Sequence, residues 1–374
     1  MHAERFHPFD YLHFARYEMQ GAPHVLCMSG VPEVTAADLR LTAPPRLGMS
    51  AVREVRAAFA ERVAARWGVP AANVRATHGA SAGAQLAVAA LVSLERDRTG
   101  TAPLVAIERP AYGVFEAAAR LVGARVEHVD RRFAEGYRLD PARVEAALAD
   151  GARIVCLTNL QNPTGVLLAD DELAAVTALA ARHGAWIVLD EVYRDFLPGP
   201  VGTAYREGAR VVCVSSLTKC YGAGGLRAGF LVADPEVLDR ADAIYEITHG
   251  DDSVPALDLA AAALDVADAL LERGRDVARR GRRVMDAWID ATPGVSWVPP
   301  AAGITGLVHV AGLADSRHLA RRLREDLGVQ VVPGLFFGAH DALRISFGLP
   351  PAQLSRALET LALGLGALLR NAGS

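Results

Sequence analysis

Lysine is nearly absent from this sequence of 374 residues. Of its 39 basic residues, 38 are arginines and one is a lysine, Lys219. Arginine carries charge and grips carboxylates or phosphates, but its guanidinium stays protonated and so cannot act as an amine nucleophile. The single lysine is therefore a candidate for chemistry that needs a deprotonable amine. On this count alone, a leftover surface lysine is an equally good interpretation.

Other scarce features exclude several classes of protein. Four cysteines stand singly, without a Cys-x-x-Cys pair: Cys27, Cys156, Cys213 and Cys220. This usage is typical of reduced thiols in the cytoplasm rather than of a disulfide or zinc framework. No apolar run approaches the roughly 18 residues of a membrane span, and no signal-peptide stretch opens the chain. A net charge of −4 with interspersed signs argues against nucleic acid or an anionic membrane as a partner.

The remaining composition is that of a soluble globular protein. Hydrophobic residues make up 51% of the chain and charged residues 22%, which allows a sizeable core in two or so domains. We predict no metal site. The early histidines His2, His7 and His13 are interpreted as flexible or surface residues rather than as metal ligands.

Short apolar segments alternate with helical stretches from about Ala51 onward. Four of these segments predict buried strands, at residues 104–107, 154–157, 186–189 and 211–214. Continuous apolar strands separated by helices are typical of a parallel sheet covered on both faces. The sequence thus predicts an α/β fold with a mainly parallel sheet flanked by helices.

The composition changes near Asp234. Long helices rich in alanine, leucine and arginine follow, and the stretch after Gly306 alternates strand, helix, strand and helix. A smaller α+β domain is therefore predicted at the C-terminal end. We place the large domain at residues 46–245. The small domain, with the N-terminal segment and a connecting helix, would take residues 1–45 and 246–374.

A glycine-rich turn precedes a helix predicted to start near Ala84. The turn matches G-x-S-x-G and reads Gly79-Ala80-Ser81-Ala82-Gly83. One interpretation is the nucleophile elbow of an α/β-hydrolase, with Ser81 as nucleophile and His340 and Asp190 as partners. A second is a phosphate site, since a turn at a helix N-terminus presents free backbone N–H groups to an anion. The third is an ordinary turn capped by Ser81.

The segment around Lys219 carries groups that suit a phosphate. Ser216 comes three residues before the lysine and Arg227 eight residues after it. A hydroxyl and a guanidinium can hold a phosphate, and the glycines between them let the backbone approach a flat ligand closely. The segment is neither a Walker A loop nor G-x-G-x-x-G.

Two further predicted strands end in polar side chains. Asn162 follows one of them, and Asp190 and Tyr193 follow the next. Ligands of open α/β sheets lie outside the carboxyl ends of the strands, so we expect these groups to converge with Lys219 on one crevice. A buried carboxylate there could hold a heterocyclic nitrogen protonated, and the amide and phenol could bond to a ring oxygen.

Four motifs occur in combination along these strand ends. They are Asn162-Pro163-Thr164-Gly165, Asp190-Glu191-x-Tyr193, Ser216-x-x-Lys219 and Gly225-Leu226-Arg227-x-Gly229. From about Gly30 to its end, the chain resembles the pyridoxal-phosphate-dependent class I/II aminotransferase family, which has fold type I. The resemblance implies an aspartate aminotransferase-like enzyme with pyridoxal 5′-phosphate as cofactor. It also implies an amino acid and a keto acid as substrates, and a homodimer, with residues 46–245 as the cofactor-binding domain.

The resemblance also implies roles for the residues that face the cofactor. Lys219 would form the internal aldimine, the Schiff-base link to the cofactor. Asp190 would pair with the pyridinium nitrogen, and Asn162 and Tyr193 would contact the ring hydroxyl. Tyr112 falls where the family places an aromatic ring stacked on the cofactor.

The phosphate and the substrate have their own implied contacts. The groups that would hold the phosphate are Ser216, Arg227 and the backbone around Ala80 and Ser81. Arg344 matches the arginine that takes the substrate α-carboxylate bidentately, as its fork geometry suits. Gly30 matches the backbone position that closes over the substrate, and Asn162 would also contact it. This reading favours a phosphate site over a hydrolase elbow, because no His-Gly-Gly signature precedes Gly79.

The reaction implied is transamination by a ping-pong mechanism. Lys219, once displaced by the substrate amine, would move a proton between the substrate and the cofactor as base and then acid. Another reaction on the same scaffold is the alternative: a lyase, decarboxylase, cyclase, racemase or oxidase. The chain also departs from the family pattern, since Leu47 stands where a cross-subunit Tyr is usual and Ala51 where a Gly is usual. The departure puts the cross-subunit phosphate contact in question.

Overall fold

A computed structural model describes residues 9–19 and 21–372, in which eleven α-helices and thirteen strands lie. The helices are α1 (Asp10–Tyr17), α2 (Val52–Trp67), α3 (Gly79–Thr99), α4 (Val114–Leu121), α5 (Pro141–Ala149), α6 (Asp170–Arg182), α7 (Pro235–His249), α8 (Val254–Asp265), α9 (Ala267–Ala291), α10 (Ser316–Leu327) and α11 (Pro351–Ala372). The strands are β1 (His24–Val25), β2 (Val74–His78), β3 (Leu104–Arg109), β4 (Arg125–Asp130), β5 (Ala152–Thr158), β6 (Trp186–Asp190), β7 (Val211–Ser216), β8 (Ala228–Val232), β9 (Val295–Trp297), β10 (Thr305–Val310), β11 (Val329–Gln330), β12 (Val332–Pro333) and β13 (Ala342–Ser346).

Seven strands form the central sheet, in the order β2-β8-β7-β6-β5-β3-β4. The neighbours from β7 to β4 pair in parallel, whereas β8 is antiparallel to both β7 and β2. The four segments predicted to be buried strands are β3, β5, β6 and β7, which lie side by side. The predicted α/β fold with a mainly parallel sheet is therefore confirmed.

Both faces of this sheet are buried, which explains why its strands lack alternation of polar and apolar residues. On β5, Val155 and Leu157 join one apolar core together with side chains of α2, α6 and α8. Ile154 and Cys156 join the opposite core, with side chains of α3, α4 and α7. Helices thus flank the sheet on both sides, as predicted.

A smaller sheet lies in the C-terminal part of the chain, in the order β12-β13-β10-β9. Its strand pairs are antiparallel, and side chains of α9, α10 and α11 cover it in a core of its own. The predicted smaller α+β unit is confirmed in this arrangement. The boundary at residue 245 stays a prediction, because α8 lies beyond it and packs against α2 in the core of the large sheet.

A row of arginine–carboxylate pairs joins α2 and the segment before it to the region of α8. The pairs have N–O distances of 2.7 or 2.8 Å and are Arg46–Asp258, Arg56–Asp252, Arg62–Asp265 and Arg66–Asp268. Apart from Arg56–Asp252, whose carboxylate is buried, each pair has an exposed partner, and a solvent-exposed pair contributes at most about 1 kcal/mol to stability. We therefore expect this arginine row to orient α2 more than to stabilise the fold.

Helix α3 begins at Gly79, directly after β2, rather than near Ala84 as predicted. Gly79 has a φ of +79°, a conformation that turns the chain from strand to helix without a loop. Ala80 and Ser81 consequently lie in the first turn of α3, where backbone N–H groups have no partners within the helix. These groups face the carboxyl ends of the parallel strands.

The structure shows where the cysteines and the early histidines lie, and whether any helix could cross a membrane. Among the described residues, no helix is long and apolar enough to cross a membrane. All four cysteines lie in this part of the chain, where they are buried and free. Of the early histidines, His13 is exposed on α1, whereas His2 and His7 lie outside the described residues.

Helix α9 packs directly on the segment that carries Lys219. A Cβ atom at Gly274 would lie 2.2 Å from the carbonyl oxygen of Cys220, so the helix and the backbone next to the lysine need a glycine there. We predict that Gly274→Ala lowers the free energy of unfolding by about 1–3 kcal/mol, because overpacking forces the backbone apart. Urea unfolding measures the change. The matched control is Gly202→Ala, since a Cβ there meets nothing within 4 Å. Equal stability of both variants would contradict the close packing.

Candidate active site

Lys219 follows β7 and lies partly buried at the carboxyl edge of the central sheet. Its Nζ donates a hydrogen bond to Ser29 Oγ at 2.7 Å. Burial, together with the positive charges of Arg344 and Arg227, lowers the pKa of the amine from 10.5 to about 8, against the attraction of Asp190. A lysine in this setting is far closer to its neutral form at physiological pH than a surface lysine is.

Asp190 is the last residue of β6 and is buried. Its Oδ1 accepts a hydrogen bond from the backbone N–H of Val192 at 2.9 Å. Burial raises the pKa of the carboxyl to about 7, while that hydrogen bond and the charge of Lys219 act in the opposite direction. The carboxylate is thus available to a partner that carries a positive charge or an N–H group.

Arg227 lies against the N-terminus of α3. Its Nη2 donates to the carbonyl oxygen of His78 at 3.3 Å, and a Cβ at Gly79 would lie 2.5 Å from the same nitrogen. Arg227 itself has a φ of +53° and immediately precedes β8. Ser216, buried at the end of β7, accepts a hydrogen bond from the backbone N–H of Thr218 at 3.3 Å. A guanidinium, a hydroxyl and a helix N-terminus together make an anion site.

Tyr112 joins this anion site to an aromatic cluster. Its hydroxyl lies 3.3 Å from Ser81 Oγ. Its ring lies 5.5 Å from that of Tyr11 and 5.0 Å from that of Phe9, measured between centroids. Burial raises the pKa of Tyr112 to about 12, so the phenol stays neutral and can donate a hydrogen bond. The cluster brings the N-terminal segment against the candidate site.

Arg344 is a fully buried cation on β13 of the small sheet. Its Nη2 donates to Tyr11 Oη at 2.9 Å and to the carbonyl oxygen of Cys27 at 3.0 Å, and Nη1 donates to Asn162 Oδ1 at 3.4 Å. Within residues 9–19 and 21–372 the guanidinium forms no ion pair with a carboxylate, and its Nε has no hydrogen-bond partner. A buried charge of this kind needs an anion to balance it.

Tyr193 and the segment around Gly30 both contact the region of Ser29 and Lys219. The hydroxyl of Tyr193 donates to the carbonyl oxygen of Ser29 at 2.8 Å. Gly30 is followed by Val31, whose N–H donates to the carbonyl oxygen of Lys219 at 3.3 Å. A Cβ at Gly30 would lie 3.5 Å from the carbonyl oxygen of Thr218, which is ordinary contact. The segment of residues 29–31 therefore runs directly over the lysine.

The structure brings most of the predicted site residues together and separates one set. Direct hydrogen bonds link Tyr112 to Ser81 and Asn162 to Arg344. By contrast, His340 is exposed, and in the described part of the chain no hydrogen bond links it to Ser81. The hydrolase interpretation of the glycine-rich turn is therefore not supported by the geometry.

Two residues of the site carry no signal in the motifs. Ser29 contacts the lysine amine, although it stands beside Gly30 in the sequence and Gly30 alone was expected to act there. Tyr11 holds the buried guanidinium of Arg344 and lies on α1, far from every motif in the sequence. Only the three-dimensional approach of the N-terminal segment to β13 identifies it.

Comparisons with known proteins agree with this geometry. Residues 26–361 match the family described as aminotransferase class I and II. A capreomycidine synthase of Streptomyces vinaceus is 31% identical over 354 residues, covering 90% of this chain and 88% of its own length. A histidinol-phosphate aminotransferase of Pectobacterium atrosepticum is 32% identical over 203 residues, 52% of each protein. The crystal structure of a PLP-dependent aminotransferase from Streptococcus suis superposes with a TM-score of 0.85 at 23% identity, covering 98% of this chain and 99% of the other, and so shares the fold.

The depressed pKa of Lys219 predicts a stability that depends on pH. Because the folded pKa of about 8 lies below the ordinary 10.5, the unfolded chain binds more protons between these values, and stability rises with pH across that window. We predict that Lys219→Met stabilises the cofactor-free chain by about 3 kcal/mol below pH 8 and by almost nothing above pH 10.5. Urea unfolding at pH 7 and pH 10.5 measures the difference. An advantage independent of pH would contradict burial of the ammonium as its cause.

Proposed function

Because the chain belongs to the aminotransferase class I and II family, we propose that it transfers an amino group between an α-amino acid and a 2-keto acid. The chain is a pyridoxal-phosphate-dependent enzyme of that family, and pyridoxal 5′-phosphate is its cofactor. The observation that carries the proposal is the buried Arg344, which lacks a carboxylate partner in the described residues and lies close enough to Lys219 for its charge to lower the pKa of the amine. The α-carboxylate of an amino acid is an anion that can bind to Arg344 while its amino group lies next to Lys219.

The residues at the crevice fit the cofactor chemically. Ser216, Arg227 and the first turn of α3 are donors for its phosphate, with the backbone of Ala80 and Ser81 in that turn. Asp190 would hold the ring nitrogen protonated, since its buried carboxylate accepts a hydrogen bond only from Val192 within the described chain. Asn162 and Tyr193 would bond to the ring hydroxyl, and Tyr112 would stack on the ring. Lys219 would hold the cofactor covalently.

The chemistry of the reaction divides between cofactor and protein. Bound pyridoxal 5′-phosphate supplies a carbon that carries the amino group and a ring that withdraws electrons from the substrate α-carbon. Lys219 takes the α-proton as a neutral amine and delivers it as an ammonium, which its pKa of about 8 allows near neutral pH. Arg344 holds the substrate α-carboxylate. Asn162 lies next to the guanidinium, with its Oδ1 3.4 Å from Arg344 Nη1, and the backbone at Gly30 covers the substrate. Burial of the carboxylate fixes the orientation of the α-carbon.

Another pyridoxal-phosphate reaction on an amino acid is the second candidate. It is favoured by the 31% identity to a synthase over 90% of this chain, a longer match than the one to the histidinol-phosphate aminotransferase. A lyase, decarboxylase, cyclase, racemase or oxidase would use the same Lys219 and the same carboxylate site. The two candidates differ in whether the amino group stays on the cofactor.

One experiment separates these candidates. The full-length protein loaded with pyridoxal 5′-phosphate is incubated with each common amino acid, and the cofactor spectrum and the products are followed. Transamination converts the cofactor to its pyridoxamine form and releases one keto acid for each substrate consumed. Consumption of substrate with recovery of the original spectrum and no keto acid would overturn the aminotransferase proposal in favour of the second candidate.

Replacement of the lysine tests the amine directly. We predict that Lys219→Arg keeps the positive charge yet lowers turnover by about a thousandfold or more, because a guanidinium neither attacks a carbonyl carbon nor gives up its proton. Steady-state rates measure the loss. The matched control is the reverse exchange, Arg280→Lys, at an exposed position on α9, which should leave the rate unchanged. A near-native rate in Lys219→Arg would refute the assignment.

Replacement of the buried arginine tests the carboxylate site. We predict that Arg344→Gln raises the KM for the amino acid by about a hundredfold or more, because a buried ion pair with the α-carboxylate is lost. The cofactor spectrum should persist, since Arg344 is assigned to the substrate. Arg322→Gln, an exposed change on α10, is the control for loss of charge alone. If the KM of Arg344→Gln stays within threefold of the wild-type value, the arginine does not bind the substrate.

We also propose that the enzyme is a homodimer, as the family pattern implies, and that it is cytoplasmic, as its four single cysteines indicate. Leu47 occupies the position of the usual cross-subunit Tyr and is 76% exposed in the single chain. An exposed leucine beside the segment that leads into α2 is consistent with a position at a subunit contact. The leucine side chain cannot donate a hydrogen bond to the phosphate of the partner subunit, so each phosphate would depend on donors of its own chain.

A further inference from the structure

Ser29 makes two hydrogen bonds at the candidate site. Its hydroxyl oxygen accepts from Lys219 Nζ at 2.7 Å, and its carbonyl oxygen accepts from the Tyr193 hydroxyl at 2.8 Å. Among the described residues, no other side chain or backbone atom is hydrogen-bonded to the lysine amine. The serine is therefore the one direct polar contact of the reacting nitrogen in this part of the chain.

The segment that carries Ser29 is held on both sides. Leu26 donates its N–H to the carbonyl oxygen of Gln330 at 2.8 Å and accepts from the N–H of Ser346 at 2.8 Å. On the other side, Val31 donates to the carbonyl oxygen of Lys219 at 3.3 Å. Backbone bonds thus fix the serine relative to the small sheet and to the lysine, so its hydroxyl does not depend on a flexible loop.

We propose that Ser29 is a positioning residue, whose hydroxyl holds the Lys219 amine in the position from which it moves a proton. The inference rests on the proposed function, in which Lys219 serves as base and then acid. It assigns to Ser29 a role that acts on the reacting nitrogen rather than on the cofactor or the substrate.

The chemistry of a hydroxyl suits this role better than that of other polar groups. A hydroxyl accepts a hydrogen bond from an ammonium and, after rotation, donates one to a neutral amine. A carboxylate only accepts, and it would therefore favour the ammonium. When Lys219 takes the substrate proton, Ser29 changes from donor to acceptor, and it changes back when the proton leaves. No proton is gained or lost by the serine, so the transfer remains between substrate and lysine.

The charges around the amine make a neutral partner necessary. Arg344 and Arg227 repel an ammonium at Lys219, whereas Asp190, and to a smaller degree the Cys220 thiol, favour it. None of these groups is hydrogen-bonded to Nζ in the described chain. These long-range charge interactions alter the pKa of the amine but do not fix where Nζ points, because they have little directional preference. The hydrogen bond from Nζ to Ser29 supplies the direction.

The single lysine allows a direct measurement of this contact. The full-length protein is prepared with lysine labelled by ¹³C at the ε-carbon, so that its spectrum contains one lysine signal. It is studied without cofactor and loaded with pyridoxamine 5′-phosphate, in which Lys219 is a free amine. The pH titration of that signal gives the midpoint of Lys219 itself. The variants are Ser29→Ala and Ser29→Thr, with Ser93→Ala as a matched loss of a hydroxyl that accepts from Arg240 on α7.

We expect Ser29→Ala to lower the midpoint by about one pH unit, because the ammonium loses a charge-assisted hydrogen bond. We also expect exchange of the substrate α-proton with D₂O to slow by about tenfold or more, with the KM changed less than threefold. Ser29→Thr, which keeps the hydroxyl, should restore both values, and Ser93→Ala should match the wild type. Circular dichroism and the melting temperature establish that each variant is folded.

Two results would overturn the proposal. The first is a folded Ser29→Ala variant whose midpoint equals that of the wild type, whatever its rate. The second is a shifted midpoint with an unchanged exchange rate, since the contact would then have no part in proton transfer. Failure of the proposed transamination is a separate result, because α-proton exchange and the lysine titration do not depend on the release of a keto acid.

Discussion

Unbalanced positive charge at the junction of the two sheets is the constraint on which this site depends. Arg344 is fully buried, and its hydrogen-bond partners among the described residues are a phenol, an amide and a backbone carbonyl, all of which are neutral. Lys219 and the exposed Arg227 add further positive charge, which the carboxylate of Asp190 opposes. Burial of the Arg344 charge, with that of Lys219 beside it, costs free energy unless anionic ligands offset it. This surplus of positive charge is the physical basis of the proposal that the site binds a phosphate and a carboxylate.

The fold provides the rigidity that such a site requires. Asp190 ends β6 and Lys219 follows β7, so adjacent parallel strands set the spacing of the carboxylate and the amine. Arg344 comes from β13 of the other sheet and reaches Asn162 beyond the end of β5. The N-terminal segment closes the arrangement from a third direction through Tyr11 and Ser29. Each group stands on a different element, and small movements between the two sheets would change the distances that the chemistry needs.

Much of this could be predicted from the sequence, because the relevant signals are local. Continuous apolar segments identified the strands β3, β5, β6 and β7, and the motifs at their ends predicted the groups that the proposed site uses. The direction of β8 was not predicted, because it depends on how distant strands pair. The start of α3 was predicted too late, near Ala84, because the positive φ of Gly79 lets the helix begin directly after β2. Tyr11 and Ser29 belong to no motif. Their roles arise only when the N-terminal segment packs across the small sheet, which is a long-range contact that spacing does not encode.

The arginine row along α2 has a consequence for behaviour in alkaline solution. In an ordinary protein, surface lysines lose their charge near pH 10.4, and the ion pairs they form are lost with it. Here Arg56, Arg62 and Arg66 bind their aspartates through guanidinium groups, which keep their charge above pH 12. Alkaline pH therefore deprotonates Lys219 while the ion pairs of the arginine row remain intact. The charge of the lysine can change without loss of the contacts between α2 and the region of α8.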